Sequence, residues 1–192
     1  MKLQKTTWGL VITASFLTTF VYFYEVAGKS QQEVNAAKQR QIFDFTQEDI
    51  TGLTIERKDE ELLKFTKGDN ETSPWQMEKP EETPASDPAV SFLLDLLVDG
   101  ERDRLILARS RELKEYGLEE PLATISVDIE GRSEPHILVL GGENFDGKFI
   151  YARVNPDKNK SEEFEIILAP IDFKHALERE LEEWQASTKD EE

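Results

Sequence analysis

The sequence predicts an α+β fold: a single N-terminal transmembrane helix, then a mainly antiparallel β domain with two packed helices. Three observations predict it. Short runs in which apolar and polar residues alternate read as half-buried strands. Two longer stretches carry apolar residues at helical spacing, but strands and helices do not alternate regularly, which argues against a doubly wound parallel sheet. Trp8–Tyr24 is apolar and free of charge over 17 residues.

That first run would span about 25 Å as a helix at ~1.5 Å per residue. With the flanking Thr6, Thr7 and Val26–Gly28 it approaches the ~20 residues a bilayer core requires. Trp8 marks one end, and Tyr22 and Tyr24 the other, as interfacial aromatics do. Lys2 and Lys5 precede it with no acid, which orients the N-terminus to the cytoplasm. A cleaved signal peptide and a buried soluble helix are the alternatives. Ala27 could stand at the cleavage position, but Glu25 two residues earlier fits poorly. Residues 1–28 are thus read as cytoplasmic N-terminus and anchor, 29–41 as a polar helical stalk, 42–186 as an extracytoplasmic α+β domain, and 187–192 as a disordered acidic tail.

Within the domain, Ile50–Gly68 reads as a β-hairpin. Leu53 and Ile55 alternate on one arm, Leu63 and Phe65 on the other, and Lys58-Asp59-Glu60 form the turn. Trp75–Glu78 is a third strand, ended by Pro80 and Pro84. Ser86 or Asp87 caps a helix with Pro88 in its first turn. Val90, Leu93, Leu94 and Leu97 form its apolar face, Phe92 and Leu96 widen it, and Gly100 sits past its end. Leu105–Leu107 is a short strand. Glu112–Leu118 is one helical turn closed by Gly117, with Leu118 in the position of a Schellman contact. Thr124–Ile129 and His136–Leu140 are strands, the second broken by Gly141-Gly142. Phe149–Val154 and Phe164–Leu168 form another hairpin. The last helix starts at Ile171 or Asp172 and continues through Phe173, Leu177, Leu181 and Trp184. The order is β-β-β-α-β, then β-β-β-β-α, and no convincing sequence repeat relates the halves.

Net charge is −17, and it is uneven: residues 1–40 carry +3 and the remaining 152 carry −20. That asymmetry argues against nucleic acid and against an anionic lipid surface, both of which select clustered cations. No cysteine is present. Disulfides, thiolate metal sites and cysteine nucleophiles are therefore excluded.

Candidate chemistry is sparse. Gly142–Lys148 approaches a phosphate-binding loop, but Phe149 stands where the Mg²⁺-binding hydroxyl belongs, and a strand follows instead of a helix. A glycine-containing β-turn is expected, and no nucleotide. Asp157–Ser161 opens like a calcium loop but lacks the required glycine and glutamate. His136 and His175 have no neighbour at ligand spacing and are expected as isolated surface histidines. Carboxylate pairs are abundant and carry no information in so acidic a chain. No catalytic, cofactor-binding or metal-binding residue is assigned, and no cofactor.

Several segments resemble a known family. They are Trp75 to Pro80, Asp87-Pro88-Ala89-Val90 to Leu97, Leu113-Lys-Glu-Tyr116-Gly117-Leu118-Glu-Glu-Pro121, Leu138 to Gly141, and Tyr151-Ala152-Arg153-Val154. Together they resemble bacterial, cyanobacterial-looking membrane-anchored proteins with the domain of unknown function 4340, over roughly residues 50–170. The resemblance implies an extracytoplasmic tethered module, in some relatives auxiliary to ABC-type exporters, and it brings no catalytic residues. The expected function is a non-enzymatic accessory or interaction module. Its partners are the membrane, through Trp8–Tyr24, and a membrane complex or envelope protein. An envelope hydrolase with a spatially assembled site, or a small-ligand or lipid-binding module, are the alternatives.

Overall fold

The computed structural model describes residues 36–58, 60–68, 74–157 and 162–186. The anchor expected over Trp8–Tyr24 and the tail after Ala186 lie outside them. The chain divides into two compact units, 1–40 and 41–192. Of the first unit, residues 36–40 are described, and they are helical. No helix among the described residues is long and apolar enough to cross a membrane.

The second unit is built on one nine-stranded sheet. Its strands are β1 (Ile50–Arg57), β2 (Leu63–Lys67), β3 (Trp75–Lys79), β4 (Thr83–Pro84), β5 (Leu105–Arg109), β6 (Ala123–Ile129), β7 (His136–Glu143), β8 (Phe149–Val154) and β9 (Glu163–Pro170). Every pairing is antiparallel, in the order β4-β3-β2-β1-β6-β7-β8-β9-β5. The expected antiparallel sheet with a few helices is what forms. The order also shows what no sequence repeat reveals. Two four-stranded meanders, each followed by a helix, meet antiparallel at β1 and β6, and β5 adds to the far edge of the second.

Alternation accounts for the register. Leu53 and Ile55 in β1 face Val127 and Ile125 in β6, and Leu138 in β7 faces Ile125. All five are fully buried on one face of the sheet. Helix α1 (Asp87–Asp99) covers that face with Ala89, Val90, Leu93, Leu94 and Leu97. It packs beside α2 (Asp172–Leu177), which buries Phe173, Ala176 and Leu177. Phe92 does not widen the apolar face. It is 36% exposed and lies under the Arg179 guanidinium, 5.0 Å away. The reverse face carries a smaller cluster around Ala108, Leu118 and Ile166.

Three elements depart from expectation. Thr83-Pro84 does not stand outside the sheet. It forms a two-residue edge strand, a place where proline is tolerated because its missing N–H faces away from the ladder. Gly141-Gly142 does not break β7, which runs on to Glu143 with a register shift after Leu140. The last helix is not continuous. It stops at Leu177, and Leu181–Trp184 is a separate 3-10 turn. The cause is Arg57, whose Nη1 donates to the carbonyls of Leu177 (3.1 Å) and Arg179 (2.9 Å). Those carbonyls are thereby satisfied outside a helix, and the chain turns there. The stripe still works, because Trp184 reaches the core from the 3-10 turn and is fully buried.

Candidate functional site

The sequence candidates separate in space. Within Gly142–Lys148, Gly142 and Glu143 end β7, and Asn144–Lys148 form the β7–β8 turn. Gly147 adopts φ +68°, and Asn144 Oδ1 accepts from the amides of Lys148 and Phe149. The loop spends its donors on its own turn, and Phe145 stands fully exposed at the tip. Most of Asp157–Ser161 lies outside the described residues. No group of three potential metal ligands occurs among the described residues.

The two histidines differ, and the expectation of two surface rings needs correction. His175 is exposed, 3.9 Å from Asp172. His136 is 9% exposed and packs against the stacked pair Phe43 and Phe45, with ring centroids 5.5 and 5.2 Å away. The signal for this was in the sequence. His136, Leu138 and Leu140 alternate, so period two places His136 on the core face of β7.

His136 forms the floor of an open cleft of about 1030 Å³ between the β6–β7 and β8–β9 connections. Arg132 Nη1 lies 2.8 Å from its Nε2, and Asn155 Nδ2 lies 3.2 Å from its Nδ1. Asn155 holds a left-handed backbone at φ 44°, which costs an ordinary side chain ~1–2 kcal/mol. Its Oδ1 accepts from the Ile137 amide at 2.7 Å and its own N–H bonds the Ile137 carbonyl at 2.7 Å. Those two bonds hold the amide nitrogen toward the ring.

Two donors therefore converge on one imidazole. A neutral ring offers one acceptor nitrogen, and a protonated ring offers none. Burial lowers the His136 pKa below the usual 6.5, the Arg132 charge lowers it further, and Asp44 opposes both. The ring is held neutral, and among the described residues its polar partners are Arg132 and Asn155. Ser133, Glu134 and Asp157 stand on the cleft walls, and the hydrogen bonds to the ring among the described residues come from Arg132 and Asn155.

This predicts an acid-sensitive fold. The unfolded chain takes up a proton near pH 6.5 and the folded chain only at lower pH. The contribution of His136 to stability must therefore fall as pH drops below ~6.5 and level off below the folded value. His136→Gln keeps an acceptor but cannot titrate. Denaturant midpoints between about pH 8 and pH 5 should show that slope component in the native protein and not in the variant.

The two most distinctive segments of that resemblance, around Tyr116-Gly117-Leu118 and Tyr151-Ala152-Arg153, meet on the reverse face. The turn after β5 ends in Gly117 at φ +68°, and the Leu118 amide bonds the Leu113 carbonyl at 2.9 Å, the expected Schellman closure. The Tyr116 carbonyl then accepts from the Gly142 amide at 2.8 Å. Tyr116 packs edge-on against Tyr151 at 4.8 Å, and Arg153 lies 4.2 Å over the Phe164 ring. The most distinctive segments thus fasten a turn to the sheet; they do not assemble a reactive centre.

No curated protein and no solved structure matches the chain. A family model, the domain of unknown function DUF4340, matches residues 75–188, from the start of β3 to beyond the last described strand contacts. That stretch is more than half of the chain and includes Tyr116-Gly117-Leu118 and Tyr151-Ala152-Arg153, so the chain belongs to the DUF4340 family.

Proposed function

We propose that this protein is a non-enzymatic accessory module tethered to a membrane by Trp8–Tyr24. Its N-terminus lies in the cytoplasm and its folded domain on the other side, in a periplasm or, in a cyanobacterium, a thylakoid lumen. There it joins a membrane protein assembly, of which an ABC-type exporter is one example. The observation that carries this reading is the charge-free 17-residue run preceded by Lys2 and Lys5 and followed by a domain of net −20. Family membership adds to it through the resemblance to anchored relatives.

A small-ligand or hydrolase reading rests on the His136 cleft alone. Its ring faces two donors, and that arrangement favours packing over proton transfer.

The orientation is tested by protease protection in sealed vesicles. Protease added on the extracytoplasmic side should degrade the domain, and protease on the cytoplasmic side should spare it. Digestion from the cytoplasmic side would refute the topology. Affinity purification from gently solubilised membranes should recover a stoichiometric partner, and repeated recovery of the protein alone would count against an accessory role.

A further inference from the structure

The two edges of the sheet are treated differently. At one edge β4 is only two residues long, contains Pro84, and is bridged by the C-terminal segment through Ala85–Gln185 pairing and the Ala186 amide. These are ordinary devices for blunting an edge. At the other edge β5 has five residues in unbroken register with β9, no proline and no bulge. The Leu168 amide bonds the Arg104 carbonyl, and the Ser110 amide bonds the Glu162 carbonyl. Alternate residues from Arg104 to Ser110 therefore face β9, and Leu105 and Leu107 direct their backbone N–H and C=O away from the sheet. Neither has a backbone partner on that side among the described residues.

The side chains on this edge are equally unusual. Leu105 is 41% exposed and Leu107 68% exposed, on the face that carries Ile167. Arg104, Arg109 and Arg111 are exposed around them, with Asp103 3.2 Å from Arg104 and Glu112 3.8 Å from Arg111. Residues 102–111 hold four arginines against one acid, in a chain of net −17. A row of open hydrogen-bonding groups, two exposed leucines and flanking positive charge coincide on one strand.

We infer that β5 is a docking strand for an extended segment of a partner protein, one that alternates acidic and apolar residues and adds to the open edge. This rests on the accessory-module reading and names the chemistry of its partner. Backbone pairing with Leu105 and Leu107 supplies the geometry. Carboxylates on one face of the segment meet Arg104, and its apolar side chains on the other face cover Leu107. A second copy is a poorer occupant, because it brings arginine-rich edges together on two strongly acidic domains. A lipid surface would use the arginines but not the outward amides.

The probe is a soluble peptide alternating glutamate with valine, added to the full-length protein in detergent. It should bind, bind more weakly at higher salt, and protect the Leu105 and Leu107 amides from hydrogen exchange. A lysine-for-glutamate version should not bind. Leu107→Pro removes one outward N–H at an edge position that tolerates proline, and should weaken binding about tenfold or more. Arg104→Glu with Arg109→Glu should weaken it comparably and leaves the backbone untouched. Unchanged binding in both variants, or exchange protection elsewhere, overturns the assignment. So does binding of phosphatidylglycerol vesicles that needs the arginines and survives Leu107→Pro, or a dimer in sedimentation that Leu107→Pro dissociates. Affinity purification separates the two levels. A membrane partner retained by Leu107→Pro overturns β5 docking and leaves the accessory role standing, whereas no partner for the native protein overturns both.

Discussion

Replacing Trp184 with alanine should destabilise the domain by about 3–5 kcal/mol, a large share of the ~5–15 kcal/mol available to a domain of this size. Trp184 is fully buried, and its ring centroid lies 5.4 Å from that of Phe65 in β2. It also anchors backbone: the Ser86 amide donates to the Trp184 carbonyl at 2.9 Å, just before α1. Truncation would open a cavity between the sheet and the helix layer and loosen the segment that covers β4. Its indole Nε1 is buried with no hydrogen-bond partner among the described residues. Trp184→Phe removes that orphan donor and keeps most of the packing, so its loss should be well under half as large. Equilibrium denaturation of both variants checks this. A loss below about 1 kcal/mol for the alanine variant would show that the C-terminal turn is not part of the core.

Gly117→Ala should also be strongly damaging, at about 3 kcal/mol. Part of that is the backbone: φ +68° is a region that alanine adopts at a cost of ~1–2 kcal/mol. The rest is space. A Cβ at Gly117 would stand 2.6 Å from the Gly142 amide nitrogen, a contact with main chain that cannot rotate away. The turn would lift from the sheet and take the Tyr116–Tyr151 contact with it. Gly131 provides the control. It has φ +75° but nothing within 4 Å of an added Cβ. Gly131→Ala should therefore show the conformational cost alone, about 1 kcal/mol. Thermal melts should separate the two by several degrees. Equal shifts would mean that the close approach at Gly142 contributes nothing.

These variants show where sequence reading succeeds and where it stops. Gly117 was legible because a helical turn ending in Gly-Leu has a local geometry that only a residue tolerant of positive φ satisfies. The burial of Trp184 was legible from its helical stripe, but the break before it was not. That break depends on Arg57, 120 and 122 residues away from the carbonyls it binds. Gly141-Gly142 continues β7 for a similarly non-local reason. Two glycines inside a strand look like a stop, until the Tyr116 carbonyl is seen resting on them. His136 could have been found from alternation, but its partners could not. Arg132 is near in sequence, whereas Asn155 belongs to the next strand connection.

Local physics in the chain settles what repeats locally: period-two burial yields the strands and their turns, helical spacing yields α1, and seventeen uncharged residues mark the proposed anchor. Pairing order has no such local signature. β5 follows α1 in the chain, yet it joins β9 and not the first meander, and that choice alone makes Leu105–Arg109 an open edge. Strand alternation specifies which side chains face the core, but the neighbour across the ladder is selected by packing between residues some sixty positions apart. The tertiary structure therefore decides which apolar strand is sealed inside the sheet and which one remains available to a partner.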